Sequence, residues 1–143
     1  MSGPATPATP ATPLEVLERR RELLIARDME AFADLFAEDG VIELPFGGPG
    51  LPARLEGRDE IRAFSTREAR SDLEISDLRV RDVHRTADPE VVVMELTTVG
   101  RVVATGETFE APCIQVFRIR DGRIVLFRDY IGAGAVPAPR PAA

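Results

Sequence analysis

The sequence predicts an α+β domain, three helices at the start of the chain packed on one face of a curved antiparallel sheet built by the second half. Three observations lead there. Apolar residues recur at helical spacing up to residue 69. From residue 73 onward the chain turns to Val- and Ile-rich runs separated by turn signals. The length of 143 residues is enough for one domain with a real core and too short for two.

The elements follow in order. Residues 1–13, MSGPATPATPATP, repeat Ala-Thr-Pro, cannot bury enough apolar area to offset their ordering entropy, and are expected to form a disordered tail. They lack the basic and apolar regions of a secretory signal. PLEVLERRRELLIARD carries Leu14, Leu17, Leu24 and Ile25 at near-helical spacing, with Pro13 suited to a first turn. Its Arg19-Arg20-Arg21 run is interleaved with Glu15, Glu18 and Glu22 and reads as a solvated helix face. Asp28 is placed to cap a second helix, MEAFADLFAED, striped by Met29, Phe32, Ala33 and Phe36 and ended by Gly40. GVIELPFGGPGLPARLEG reads as a short strand and a Gly/Pro loop. Its GGPG lacks the strand-before, helix-after context of a phosphate loop and is expected to be a mobile rim. Gly57 precedes a third helix, RDEIRAFSTREA, with acids in its first turn and Ile61 and Phe64 on one side. Four strands follow: LEISDLRVRDVH, EVVVMELTTV, TFEAPCIQVFRIR and RIVLFRDYI. GAGAVPAPRPAA, residues 132–143, reads as a flexible second tail, which leaves 14–131 as the single folded domain.

The last two strands meet at Arg120-Asp121-Gly122. A two-residue turn pairs Phe117 with Leu126 and Gln115 with Arg128; a three-residue loop with Gly122 left-handed pairs Phe117 with Val125 and Gln115 with Phe127. The second register is preferred. It collects Cys113, Gln115, Phe117, Ile119, Val125, Phe127, Asp129 and Ile131 on one face and puts Arg118, Arg128 and Tyr130 on the other.

Composition narrows the function. Acidic residues outnumber basic ones by 24 to 18, for a net charge of −6. That balance argues against nucleic acid and anionic membranes, which reward basic patches. No apolar run reaches membrane-spanning length. Cys113 is alone, so no internal disulfide forms and a reducing cytoplasm is the expected setting. One histidine and one cysteine leave little for zinc or haem, and neither metal nor cofactor is expected. The chemistry is left to carboxylates, hydroxyls and arginine.

Asp129 is the residue that asks for an explanation, because alternation points it the same way as Val125, Phe127 and Ile131, into the face being buried. A carboxylate there either pairs with a neighbouring Arg or raises its pKa towards the range of a general base or acid. His84 follows Val83 near the TADPE turn and reads as an exposed or capping imidazole; Cys113 reads as a small core residue.

FAEDGVIELPF, then LEGRDEIRAF, then VFRIRDGRIVLFRDY together resemble the nuclear transport factor 2-like superfamily, which includes ketosteroid isomerase, limonene epoxide hydrolase and the SnoaL-like polyketide cyclases. The resemblance spans roughly residues 14–132. It implies a cone-shaped fold in which a strongly bent sheet encloses a pocket closed by the helices. It also implies a homodimer through the outer sheet face, here Ile124, Leu126, Arg128 and Tyr130. Position by position, Asp129 matches the aspartate that acts in the epoxide hydrolase and the cyclases. Glu43 falls where the hydrolase has a water-orienting asparagine, Glu95 near its arginine and Thr97 near its second aspartate. Gln115 stands near the oxyanion-hole acid of the isomerase and where the cyclases have a histidine, while Leu44 occupies the place of the isomerase base.

The residues and the resemblance together predict a cofactor-free acid–base enzyme acting on a small apolar molecule such as a polyketide or terpenoid, by cyclisation, isomerisation or epoxide opening. Asp129 would be the principal base or acid, with Gln115, Glu43 or Glu95 orienting or sharing the proton. Glu95 shares a face with Val91, Val93 and Thr97 against Val92, Met94 and Leu96, and the alternation leaves either face open as the interior. Phe32, Phe36, Phe46, Phe64, Phe117 and Phe127 are expected in the pocket wall with Thr97. The alternative is a ligand-binding or dimeric scaffold domain of the same fold, in which Asp129 pairs with an arginine.

Overall fold

The computed structural model describes residues 10–47, 51–132 and 134–137. Helices α1 (Pro13–Ala26), α2 (Met29–Asp34) and α3 (Arg58–Glu68) accompany strands β1 (Phe36–Glu43), β2 (Arg54–Glu56), β3 (Leu73–Arg85), β4 (Val91–Val102), β5 (Thr108–Arg120) and β6 (Arg123–Ile131). The strands form one six-stranded sheet in the order β2-β1-β6-β5-β4-β3. All neighbours are antiparallel except β1 and β6, which run parallel. The expected α+β layering holds; the parallel pair and the short β2 were not anticipated.

Helix α1 begins with a reciprocal cap. Thr12 Oγ1 accepts from the Glu15 amide at 3.2 Å, and the Glu15 carboxylate accepts from the Thr12 amide at 3.0 Å. Residues 1–9 of the expected tail lie outside the described residues. The buried face of α1 is Val16, Leu17, Arg20 and Leu23, while Leu14 and Ile25 are exposed. The stripe is rotated from the expected one, and Arg20 lies inside it. The reading of Arg20 as part of a solvated face is therefore corrected: it is only 2% exposed.

Asp28 caps α2 as expected, accepting from the Ala31 amide at 3.1 Å, but the helix stops at Asp34. The amide of Ile124 bonds to the Leu35 carbonyl at 2.9 Å, and Phe36 pairs with Ile124, so β6 draws residues 36–43 into the sheet. Tertiary pairing outweighs local helix preference here. The Phe32 and Phe36 rings still meet edge-to-face at 5.4 Å. Gly40 is not a helix cap but a close-approach point in β1. A Cβ there would sit 2.9 Å from the Ile124 carbonyl oxygen and 3.0 Å from that of Ala37.

The β5–β6 hairpin follows neither register considered from sequence. Arg120 pairs with Arg123 and Ile119 with Ile124 across a two-residue turn; a bulge then shifts the ladder so that Phe117 pairs with Phe127 and Gln115 with Asp129. The bulge reverses the face of β6 between Ile124 and Leu126. Ile124 is therefore fully buried beside Ile119 and leaves the outer face assigned to it. Beyond the bulge, Cys113, Gln115, Phe117, Phe127, Asp129 and Ile131 share the inner face, as the alternation requires.

Candidate active site

The concave side of the sheet and the helices enclose a cavity in two parts. An outer chamber of about 430 Å³ is walled by Met29, Phe32, Phe64 and Phe127, and an inner one of about 270 Å³ reaches Arg20, Thr98 and Gln115. Both are bordered by Leu24, Phe32, Glu68, Phe127 and Asp129. Gly100 lets the ring of Phe109 reach the inner chamber: a Cβ on Gly100 would come within 2.5 Å of it. Val136 and Pro137, from the expected C-terminal tail, also line the outer chamber.

At the floor lies a buried polar group. Register places Gln115 and Asp129 directly across from each other. Arg20 descends from α1, donates from Nη2 to Gln115 Oε1 at 2.7 Å, and spreads its guanidinium over the rings of Phe117 and Phe127 at 4.9 and 4.8 Å. The two rings are themselves stacked at 4.7 Å. A delocalised, weakly hydrated cation suits such an aromatic seat better than an ammonium would. Gln115 Nε2 and Thr98 Oγ1 both approach the Cys113 sulfur, at 3.9 and 3.7 Å.

The group is incompletely satisfied. Arg20 Nε and Asp129 Oδ1 are buried without a hydrogen-bond partner. Burial pushes the Asp129 carboxyl up to about 6, against the opposing pull of the Arg20 charge and a hydrogen bond with Gln115. Burial also draws Arg20 down to about 10, partly offset by Asp129, so Arg20 stays cationic at neutral pH. Burial first, then the nearby Asp129, raises the Cys113 thiol, which therefore remains protonated.

The other residues singled out from sequence divide between cavity, core and surface. Phe32, Phe64 and Phe127 line the cavity. Phe36 lies wholly in the core, and Phe117 forms the seat beneath Arg20 rather than the wall. Phe46 is 61% exposed and meets Tyr130 edge-to-face at 5.6 Å. Val92, Met94, Leu96 and Thr98 are buried, which fixes the inner face of β4 and turns Glu95 and Thr97 away from the cavity. Thr98 stands in the cavity instead. Glu95 meets His84 Nε2 at 2.6 Å on the outer face, with Asp82 3.8 Å from the same nitrogen. These three are a group of potential metal donors within 4.8 Å of one another, all solvent-accessible. Glu43 sits between Arg54 at 3.7 Å and Arg128 at 3.5 Å, also off the cavity. Residues 48–50 of the GGPG rim lie outside the described residues, while Gly47 lines the outer chamber.

Arg20 and Glu68 were missed. The signal for Arg20 was its place three residues after Leu17 and four after Val16, where the α1 stripe requires an inward residue.

Comparison with known proteins settles the family. The SnoaL-like domain model matches residues 17–127. The chain belongs to the SnoaL-like family. Among its relatives, the chain is 32% identical over 116 residues to the uncharacterised protein YesE of Bacillus subtilis (strain 168), covering 81% of this chain and 78% of that one. It is 36% identical over 118 residues to an uncharacterised PhzA/B-like protein of Pseudomonas aeruginosa, with 81% of each covered. A solved Bacillus subtilis structure, provisionally named an isomerase, superposes with a TM-score of 0.77 at 31% identity, covering 83% of this chain and 85% of that one. The ketosteroid isomerase-like, nuclear transport factor 2-like fold expected from the sequence is thus shown. Among the described residues, no helix is long and apolar enough to cross a membrane.

Proposed function

We propose that this SnoaL-like protein is an acid–base enzyme that rearranges a small, largely apolar organic molecule, with Asp129 as the proton-accepting group. The observation that carries the reading is Asp129 itself: a cavity-lining carboxyl with one oxygen buried and unpartnered, pushed up to about 6 by burial. A base of that strength is ionised at neutral pH yet holds a proton far better than an ordinary aspartate, which suits reversible proton transfer. Gln115 hydrogen-bonds the carboxylate, and the Arg20 charge, held on Gln115, acts on it without a direct ion pair. A partnered structural aspartate would have been closed in by an arginine instead.

The apolar walls point to a polyketide- or terpenoid-like body with few polar groups. Isomerisation, ring closure and epoxide opening all need what Asp129 offers, removal of a proton from carbon, hydroxyl or water. The provisional isomerase name of one relative supports the first. A panel of apolar enolisable ketones, hydroxy-ketones and epoxides, followed by NMR, tests the reading. Any compound turned over should lose about 10²–10⁴-fold in rate with Asp129→Asn. Unchanged turnover by that variant contradicts the assignment.

We also infer a homodimer through the outer sheet face. Ile114 is 46% exposed and pairs across the ladder with Tyr130, next to the exposed Phe46. Sedimentation at micromolar concentration should give twice the 15.6 kDa chain mass, and a clean monomer would sink the inference.

A further inference from the structure

The cavity contains a second carboxyl besides Asp129, on its helical wall. Glu68 closes α3, is half-buried, and borders both chambers, as Asp129 does from β6. Among the described residues its side chain makes no hydrogen bond and no ion pair, and the charge acting on it is that of Arg67. The charged groups around this space are Arg20 from α1, Arg27 just after that helix, Asp129 from β6, and Arg67 beside Glu68 on its own helix. Arg20 is engaged with Gln115, Arg27 donates to Glu74 at 3.3 Å and to the Ala69 carbonyl at 2.6 Å, and Arg67 lies against the Phe64 ring at 5.5 Å. Glu68 is the remaining charged group lining the cavity.

We propose that Glu68 is the second proton-transfer residue of the cavity, serving from the helix wall as the acid that complements Asp129 on the sheet wall. The proposal rests on the reading of Asp129 as base. Burial raises the Glu68 carboxyl from its ordinary value, with Arg67 opposing. The ligand class that uses both walls is an apolar enolisable ketone. Asp129 takes the proton from the carbon next to the carbonyl, and the C–H electron pair becomes the new C=C bond. The carbonyl π pair moves onto oxygen, which receives the Glu68 proton. The ketone becomes an enol, Asp129 becomes neutral and Glu68 becomes a carboxylate. Return of the Asp129 proton to a different carbon of a conjugated system, with Glu68 recovering its own from the enol oxygen, completes an isomerisation and restores both groups.

The test uses 2-tetralone, an apolar bicyclic ketone, as the probe, with deuterium uptake from D₂O followed by proton NMR across a pH series. The wild-type protein should accelerate uptake with a bell-shaped profile, because one carboxyl must be ionised and the other protonated. Glu68→Gln should slow uptake at least tenfold and abolish the falling limb, leaving a rate that only rises with pH as Asp129 ionises. Asp129→Asn should remove the acceleration. Wild-type uptake at the buffer rate would overturn the reading of Asp129 and this proposal with it. Wild-type-like uptake by Glu68→Gln would overturn the role of Glu68 alone and leave Asp129 standing. Should Glu68→Gln fail to fold, Glu68→Asp carries the test: a slower rate with both limbs kept supports the proposal, and an unchanged rate overturns it.

Discussion

Replacing Asp129 by asparagine should make the protein more stable at neutral pH, by an amount that depends on pH in a defined direction. Asparagine keeps the shape and removes the ionisation. In the folded protein the carboxyl is raised from 3.8 to about 6. At roughly 1.4 kcal/mol for each tenfold change in proton affinity, its ionised form is disfavoured by about 3 kcal/mol relative to the unfolded chain. That figure is already net of Arg20, whose charge pulls the carboxyl down. The sign follows from proton binding. Between about pH 4 and 6 the folded state holds more protons at this site than the unfolded state, so wild-type stability falls as pH rises through that window. The asparagine variant has no such slope. All other carboxylates titrate in both proteins and cancel in the difference. Urea unfolding of both proteins from about pH 3.5 to 7 should therefore show the variant gaining about 3 kcal/mol relative to wild type over that range. A flat difference would refute burial as the controlling influence on Asp129. A variant that instead loses about 3–5 kcal/mol near neutrality would show a buried ion pair with Arg20, broken by the substitution.

Two further outcomes follow from the fold and its surface. Gly40→Ala should cost on the order of 1–3 kcal/mol in urea unfolding, because its Cβ would meet backbone carbonyl oxygens of Ile124 and Ala37 that cannot move without disturbing the β1–β6 pairing. A neutral result would place the two strands further apart. Hydrogen bonding to Glu95, and then the charge of Asp82, raise the His84 imidazole above 6.5, so Glu95→Gln should lower its NMR titration midpoint, and an unmoved midpoint would deny the contact.

The legibility of this chain from sequence follows the range of the forces involved. Strand identities and the inward aim of Asp129 depend on alternation within a few residues, and these were readable. The end of α2 was not, because the pull on Phe36 comes from Ile124 on the last strand. The register of the final hairpin was misjudged because a bulge after Ile124 combines a short turn with a shifted ladder, a choice made by burying Ile124 beside Ile119. Glu95 was drawn towards the pocket by resemblance while alternation alone left both faces open; the burial of Met94, Leu96 and Thr98 decides it. Arg20 was hidden by its neighbours, since charges on both sides made an inward arginine look like a surface one. Its true setting, two phenylalanine rings and Gln115, is assembled from strands about a hundred residues away.

The most direct test of the account is the ionisation of Asp129, read from its side-chain carboxyl carbon by NMR as pH is varied, with Asp129→Asn to assign the signal. The account predicts a midpoint near 6, as expected for a buried carboxyl held beside but not against a cationic arginine. A midpoint at or below the ordinary 3.8 would mean that Arg20 and Gln115 hold the carboxylate as a fully paired structural group, and Asp129 would not be the base of this cavity.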